Sequence, residues 1–302
     1  TLNMIFDQRS MLWNAYHTWQ TTWDTWLDSN LSILMVPARS GTNLTAAAIE
    51  TQIDETYALA NQLNKKMKSD PVVAKFIEKV TYARNNSEML GQLGHESLLP
   101  RHWVDIYKTL GLTFDEEKPT IVTLRTLMNN GVFDPTYLDD IDEICGTAGK
   151  EFSLLRGMES MEEEWAAMKF ELIAYKETGT VILQGQGVIE EVLDDQIVRP
   201  QAMRGSRFIG PFKPRIEAWE IKLRLLEDIM VNWQKTQNVW LYLEPIFSSP
   251  DIRKQMPGEA KRFKVVDRSW REVMEATKEN NAVLAICDRE GVLEQFIKSN
   301  AL

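Results

Sequence analysis

One run of residues limits the folds open to this chain more than any other feature. Between positions 214 and 244, Ile216, Trp219, Leu223, Leu226, Met230, Trp233, Gln237 and Trp240 follow one another in alternating steps of three and four. In an α-helix those steps put all eight on one stripe. A helix running to Pro245, whose missing N–H ends the repeat, would be roughly 45 Å long at about 1.5 Å per residue. Such a stripe must be covered, and a long core helix of a bundle and a rod-like lever or scaffold both satisfy it.

The rest of the chain repeats the pattern. Trp13, Trp19, Trp23 and Trp26 place four of the ten tryptophans within fourteen residues, and the last three share one helical face. That much aromatic area on one stripe has to be buried. Further helices are expected over 45–69, with Ala48, Gln52, Tyr57, Leu59 and Leu63 inward, and over 71–93, where Asp70 before Pro71 is a start signal. Asp134 before Pro135 opens another that continues through Ile141 and Ile144. One segment departs from helix. Met168, Phe170 and Leu172 alternate with polar or small residues, Glu177, Thr178 and Gly179 form a turn, and Thr180 to Leu183 favour a strand. The fold class expected is therefore mainly α: an elongated rod of packed helical bundles with one inserted β-hairpin near 168–183. An isolated hairpin is marginal, so it must lean on a helix or another domain.

Composition removes several chemistries. With 34 Lys and Arg against 44 Asp and Glu, the formal charge is -10, opposite to the basic footprint of a nucleic-acid binder. Cys145 and Cys287 are too few for a disulfide framework or a four-thiolate zinc site, which favours a reducing compartment. His17, His95 and His102 are too scattered for a metal cluster. The apolar runs fall short of the ~18 residues a bilayer span requires, so no membrane is expected. The first residue is Thr1, and the sequence reads as a piece of a longer chain.

Motifs fail in the same way. Gly149 and Lys150 lack the preceding glycine (Ile144 stands there) and the following hydroxyl (Glu151) of a phosphate loop. Gly185 and Gly187 begin a dinucleotide-like pattern whose third glycine is Glu190. His95 and Glu96 lack the second histidine of a zinc-protease helix, with Leu99 in its place. The sequons at Asn30, Asn43 and Asn85 are short enough to arise by chance. The acidic run Glu162, Glu163 and Glu164 reads as a solvated helix face.

One local reversal of charge stands out. No acidic residue occurs between Asp195 and Glu217, while Arg199, Arg204, Arg207, Lys213 and Arg215 occupy a stretch punctuated by proline and glycine. It suits an acidic protein surface or a phosphate. It equally suits neutralisation of the chain's own acidic helices, at Glu162 to Glu164 or at Asp194 and Asp195.

Several long strings resemble one family. WLYLEPIFSSPDI (240–252), FKVVDRSW (263–270), ETGTVIL (177–183), VLDD (192–195) and RHW (101–103) are similar, in order and spacing, to the linker region of dynein heavy chains. Pro245 within LEPIF and the VDRSW string are more similar to axonemal than to cytoplasmic heavy chains. The resemblance implies that 90–302 is the N-terminal and central part of the linker and that 1–89 is the adjoining neck or tail-end bundle. It implies a mechanical lever that bends and straightens across an AAA+ ring of the same heavy chain, with movement along microtubules reached indirectly through an absent stalk. The segment itself would then carry no ATPase site and no cofactor. Tail-associated dynein subunits would lie near its N-terminal end, and its setting would be cytoplasmic, in the axoneme of a cilium or flagellum.

The Gly- and Pro-containing stretches 184–188 and 197–214 are expected to be its hinges, through Gly185 and Gly187. The hairpin and the basic residues Arg204 and Arg207 are expected to face the ring. A non-motor α-helical scaffold or adaptor has the same stripes and stays open from the pattern alone.

Overall fold

A computed structural model of the chain describes residues 2–29, 46–114 and 122–302. Helices dominate it, with one two-stranded antiparallel sheet among the described residues. They gather into two units, Thr1–Phe152 and Ser153–Leu302.

In the first unit, helix α1 (Leu2–Asp28) buries Leu12, Tyr16, Trp19 and Trp26 along one side. Trp23 stacks on Trp19 at 5.6 Å, and Trp26 meets both edge-on at 6.1 Å. Trp13 lies outside this seam and is exposed. Helix α2 (Ala46–Lys66) buries Ile49, Ile53, Ala60 and Leu63. Its inward face is thus turned by about one residue from the expected set, of which Leu63 remains; the β-branched aliphatics, not Gln52 and Tyr57, decide which side is dry. Thr45, the expected first residue, lies outside the described residues, as do Asn30 and Asn43.

Asp70 starts helix α3 (Pro71–Asn85) by accepting a 2.9 Å bond from the Val72 N–H. The single helix expected over 71–93 is two. Asn86, at φ -109° and ψ 7°, ends α3 and begins α4 (Ser87–Leu93). Its side-chain amide bonds back to the Tyr82 carbonyl at 2.7 Å, a local bond that competes with helical continuation. Helices α5 (Pro100–Thr109) and α6 (Leu124–Asn129) follow. Helix α7 (Pro135–Ala167) opens as expected, with Asp134 Oδ1 accepting from the Thr136 N–H at 2.9 Å.

The second unit is built around its longest helix. After strands β1 (Glu171–Ala174) and β2 (Val181–Gln184) and helix α8 (Gln186–Arg204), helix α9 (Lys213–Ser248) runs for 36 residues, about 54 Å at the standard rise. All eight stripe residues from Ile216 to Trp240 are buried on it. Trp233 is fully buried, stacked on Phe296 at 5.3 Å and edge-on to Phe170 at 5.1 Å. Truncating such a side chain to alanine costs roughly 3–5 kcal/mol.

Pro245 does not end α9. It sits in the last turn, where its missing N–H removes only one bond. The stop is Ser249, held extended at ψ 124° in front of Pro250. Helices α10 (Pro250–Gln255), α11 (Pro257–Glu279) and α12 (Val292–Ala301) complete the unit, with α8 and α12 packed along α9.

Candidate functional site

The hairpin is the one sheet among the described residues, and the unit fastens it on three sides. Its register pairs Glu171 with Gln184, Leu172 with Leu183, Ile173 with Ile182 and Ala174 with Val181. Gly179 at φ 74° and Lys176 at φ 48° supply the left-handed positions of the turn.

At the outer edge of β2, the side chain of Gln237 from α9 takes the place of a third strand. Its Oε1 accepts from the Leu183 N–H at 2.8 Å and its Nε2 donates to the Leu183 carbonyl at 3.1 Å. At the base, the Phe170 N–H donates to the Asn281 carbonyl at 2.8 Å and the Val283 N–H to the Met168 carbonyl at 3.1 Å. At the tip, Arg271 Nη1 donates to the Thr178 carbonyl at 2.8 Å.

Arg271 is aimed there by its neighbours. Its Nε bonds both oxygens of Asp267 at 3.0 Å, and Asp267 Oδ1 also accepts from Trp240 Nε1 at 3.0 Å. Trp240 in turn stacks on Trp270 at 5.4 Å and meets Tyr175 of the hairpin at 5.2 Å. Three strings that are far apart in sequence, 177–183, 240–252 and 263–270, therefore meet at one fastening point.

Over its whole length, residues 1–302, the chain matches the family model described as dynein heavy chain, N-terminal region 2. It belongs to the dynein heavy chain family. Dynein axonemal heavy chain 1 of Rattus norvegicus is 30% identical over 295 residues, which cover 96% of this chain and 6% of that protein. Dynein axonemal heavy chain 12 of Rattus norvegicus is 32% identical over 311 residues, covering 100% of this chain and 10% of its own length. Dynein axonemal heavy chain 6 of Homo sapiens is 31% identical over 296 residues, with 97% and 7% covered. The chain thus spans a tenth or less of the length of these relatives.

In this dynein heavy chain segment the basic stretch is largely paired within the fold. The expected loop over 197–214 is helical as far as Arg204, because Ile189, Leu193, Gln196 and Pro200 continue the buried stripe of α8 in steps of four, three and four. Arg199 pairs with Asp195 one turn earlier. Arg204 reaches the buried Glu220 of α9 at 2.9 Å, and Arg224 shares that carboxylate at 3.3 Å. The Arg204 hydrogen bond holds the Glu220 carboxyl below its usual range. Arg215 grips Glu162 of α7 through Nε at 3.0 Å and Nη2 at 2.5 Å. Lys213 lies 3.9 Å from Glu217. Arg207 is exposed, over the ring of Phe208 at 4.7 Å, and makes no ion pair among the described residues.

The acidic run is a helix face open to solvent at Glu163 and Glu164, as expected, yet two of its members have partners within the fold. Glu162 is taken by Arg215 and Glu164 by the amide of Gln196, whose Oε1 accepts from Trp165 Nε1 at 2.8 Å.

The stretch 184–188 is a one-residue junction instead of a loop. Gly185 alone separates β2 from α8, at φ 67°, and a Cβ there would stand 2.7 Å from Glu171 Oε2. Gly187 lies in the first turn of α8 with open space around it. Gly149 and Lys150 sit inside α7, where no phosphate-cradling turn exists. Among the described residues, no group of three or more His, Cys, Asp or Glu is placed to hold a metal, and no helix is long and apolar enough to cross a membrane.

Two contacts are marked by no spacing signal. Gln237 shows itself in sequence only as a polar residue on an apolar stripe. The other is His102 and Glu151, 49 positions apart and joined at 3.0 Å.

Proposed function

We propose that this chain is a mechanical linker element of an axonemal dynein heavy chain. In this reading residues 90–302 are the N-terminal and central part of a lever, and residues 1–89 are the adjoining neck. The lever bends and straightens across an AAA+ ring elsewhere in the same heavy chain, in the axoneme of a cilium or flagellum. Contact with the microtubule is indirect, tail-associated subunits bind toward the N-terminal end, and the ATP chemistry belongs to the ring, not to this segment.

The observation that carries the reading is the fastening of the hairpin to α9. A force-bearing element must not dissipate displacement in its own joints. A two-stranded hairpin held by Gln237, by the 281–283 backbone and by Arg271 moves with the 36-residue helix instead of independently of it. Membership in the dynein heavy chain family supports the same reading.

A static helical scaffold is the competing reading. The internal pairing of Arg199, Arg204 and Arg215 favours it, since those charges are spent on the fold.

The exposed Arg207 separates the two. In a motor-competent heavy chain containing this segment, Arg207→Glu is expected to change microtubule gliding speed or ATP turnover while leaving the unfolding midpoint of the segment unaltered. Unchanged gliding and unchanged turnover would count against a ring-facing role. Arg204→Glu is the poorer probe, because it also strips the buried Glu220 of a partner.

A further inference from the structure

Helix α5 begins in an unusual way. Its N-cap is Leu99, which has no side-chain acceptor, and the third residue of the helix compensates: Nδ1 of His102 accepts a hydrogen bond from the Leu99 N–H at 3.0 Å. In a capping box that duty normally falls to Glu or Gln. The other ring nitrogen, Nε2, lies 3.0 Å from Oε2 of Glu151 on α7, and Arg101 holds the same carboxylate oxygen. His102 is 4% exposed and Glu151 8% exposed.

These contacts fix the protonation state by geometry. The Leu99 N–H can only donate, so Nδ1 must present its lone pair. The single ring proton then sits on Nε2, directed at a carboxylate. A second proton can be added only at Nδ1, where it would point straight at the Leu99 N–H. Donor would face donor, and the cap could not survive in place.

The surroundings offer an exit. His102 lines a cleft with Asp105 of its own helix and with Asp140 and Glu143 of α7, alongside Ile144 and Thr147. The charged groups facing the ring are thus Arg101 and Asp105 from α5, and Glu151, Asp140 and Glu143 from α7. Three carboxylates line the cleft toward which a charged imidazole would turn.

We propose that His102 is a proton-operated latch: neutral, it caps α5 and ties that helix to Glu151 of α7; protonated, it releases Leu99 and turns into the acidic cleft, freeing the start of α5. The proton comes from solvent and is returned to it, and no bond other than N–H is made or broken. Burial, aided by the positive charge of Arg101, holds the imidazole below its ordinary 6.5, against the opposing pull of Glu151 and Asp105. The latch therefore stays closed at neutral pH and opens on the acid side of the usual histidine range.

NMR of the 302-residue chain with 15N-labelled imidazoles, together with hydrogen exchange at the Leu99 amide, tests this. The expected spectrum shows His102 as the Nε2–H tautomer at neutral pH. On acidification, the protection of the Leu99 amide is lost in step with the His102 titration. His102→Gln keeps an acceptor at the third helical position but has no proton to gain, so its Leu99 amide stays protected through the same pH range. His102→Ala lacks the cap at every pH; should it fail to fold, the other two proteins carry the test. An Nδ1–H tautomer at neutral pH overturns the proposal, as does Leu99 protection that ignores the His102 titration. A glutamine variant that loses protection at the same pH as the parent chain also overturns it, since the carboxylates alone would then be responsible.

Discussion

Gln237 and Leu183 are 54 positions apart, yet the one side chain closes both backbone hydrogen bonds of the other residue. A primary amide presents a donor and an acceptor side by side, the same pair an adjacent strand would offer. One residue of a helix thus ends a sheet that would otherwise need a third strand.

Removing that amide should be costly for its size. Gln237→Ala leaves the Leu183 N–H and carbonyl without protein partners at a buried site, and roughly 2–6 kcal/mol of stability should be lost, since each of the two unsatisfied groups costs about 1–3 kcal/mol. Gln237→Glu keeps the acceptor but sets a negative oxygen against the Leu183 carbonyl, so it should not restore the parent stability. Urea unfolding ranks the three proteins. Equal midpoints for Gln237→Ala and the parent chain would show that the contact is dispensable.

The tip of the hairpin depends on a longer relay, from Trp240 through Asp267 to Arg271 and then Thr178. Asp267→Ala removes the acceptor for both the indole and the guanidinium. Because Arg271 is partly exposed, the loss in global stability should be modest, about 1–2 kcal/mol. The local effect is the sharper one: hydrogen exchange across residues 175–180 should accelerate in both Asp267→Ala and Arg271→Ala. Acceleration in neither would mean that the turn holds itself.

Glu220 gives a pH dependence whose sign is fixed. Its carboxyl is held below the ordinary 4.5 by the Arg204 bond and by Arg224, so the folded state binds fewer protons than the unfolded chain over that interval. The stability it contributes is complete above about 4.5 and is lost as the pH falls through the lowered value. Glu220→Gln, which resembles the protonated acid, should flatten the acid limb of a thermal-stability profile by lowering the neutral plateau toward the acid value, and the drop should be small because Arg204 and Arg224 are about half exposed and stay hydrated. An unaltered acid limb would place that dependence on other carboxylates.

The elements that could be read from sequence are those specified by side chains close together in the chain. The α9 stripe, the Trp19, Trp23 and Trp26 seam, the Asp70 and Asp134 starts and the hairpin turn all follow from spacing within a few residues. The boundaries that shifted depended on subtler competition. Pro245, expected to stop the helix, only removes one of its hydrogen bonds, while Pro250 stops it through the residue in front. Asn86 breaks a helix by bonding back to Tyr82, and Pro200 is carried inside α8 because its stripe continues past it.

The candidate site was less legible, for a physical reason. Arg204 with Glu220, Arg215 with Glu162, Gln237 with Leu183 and His102 with Glu151 are contacts between residues 16 to 54 positions apart, and no spacing rule links them. Only the odd polar residue on an apolar stripe, as at Gln237, marks such a contact in advance.

As a lever, the segment would move as a stiff body relative to a ring. A fluorophore at Lys264→Cys, an exposed position on α11, paired with one on the first ATPase module of a full heavy chain, tests it by energy transfer. Background labelling from this segment's own cysteines is expected to be low, because burial pushes the Cys145 thiol up to about 12 and the Cys287 thiol up to about 11, leaving little thiolate at either. The lever account predicts two distinct transfer efficiencies, one without nucleotide and one with a non-hydrolysable ATP analogue. A single efficiency in both states would contradict it.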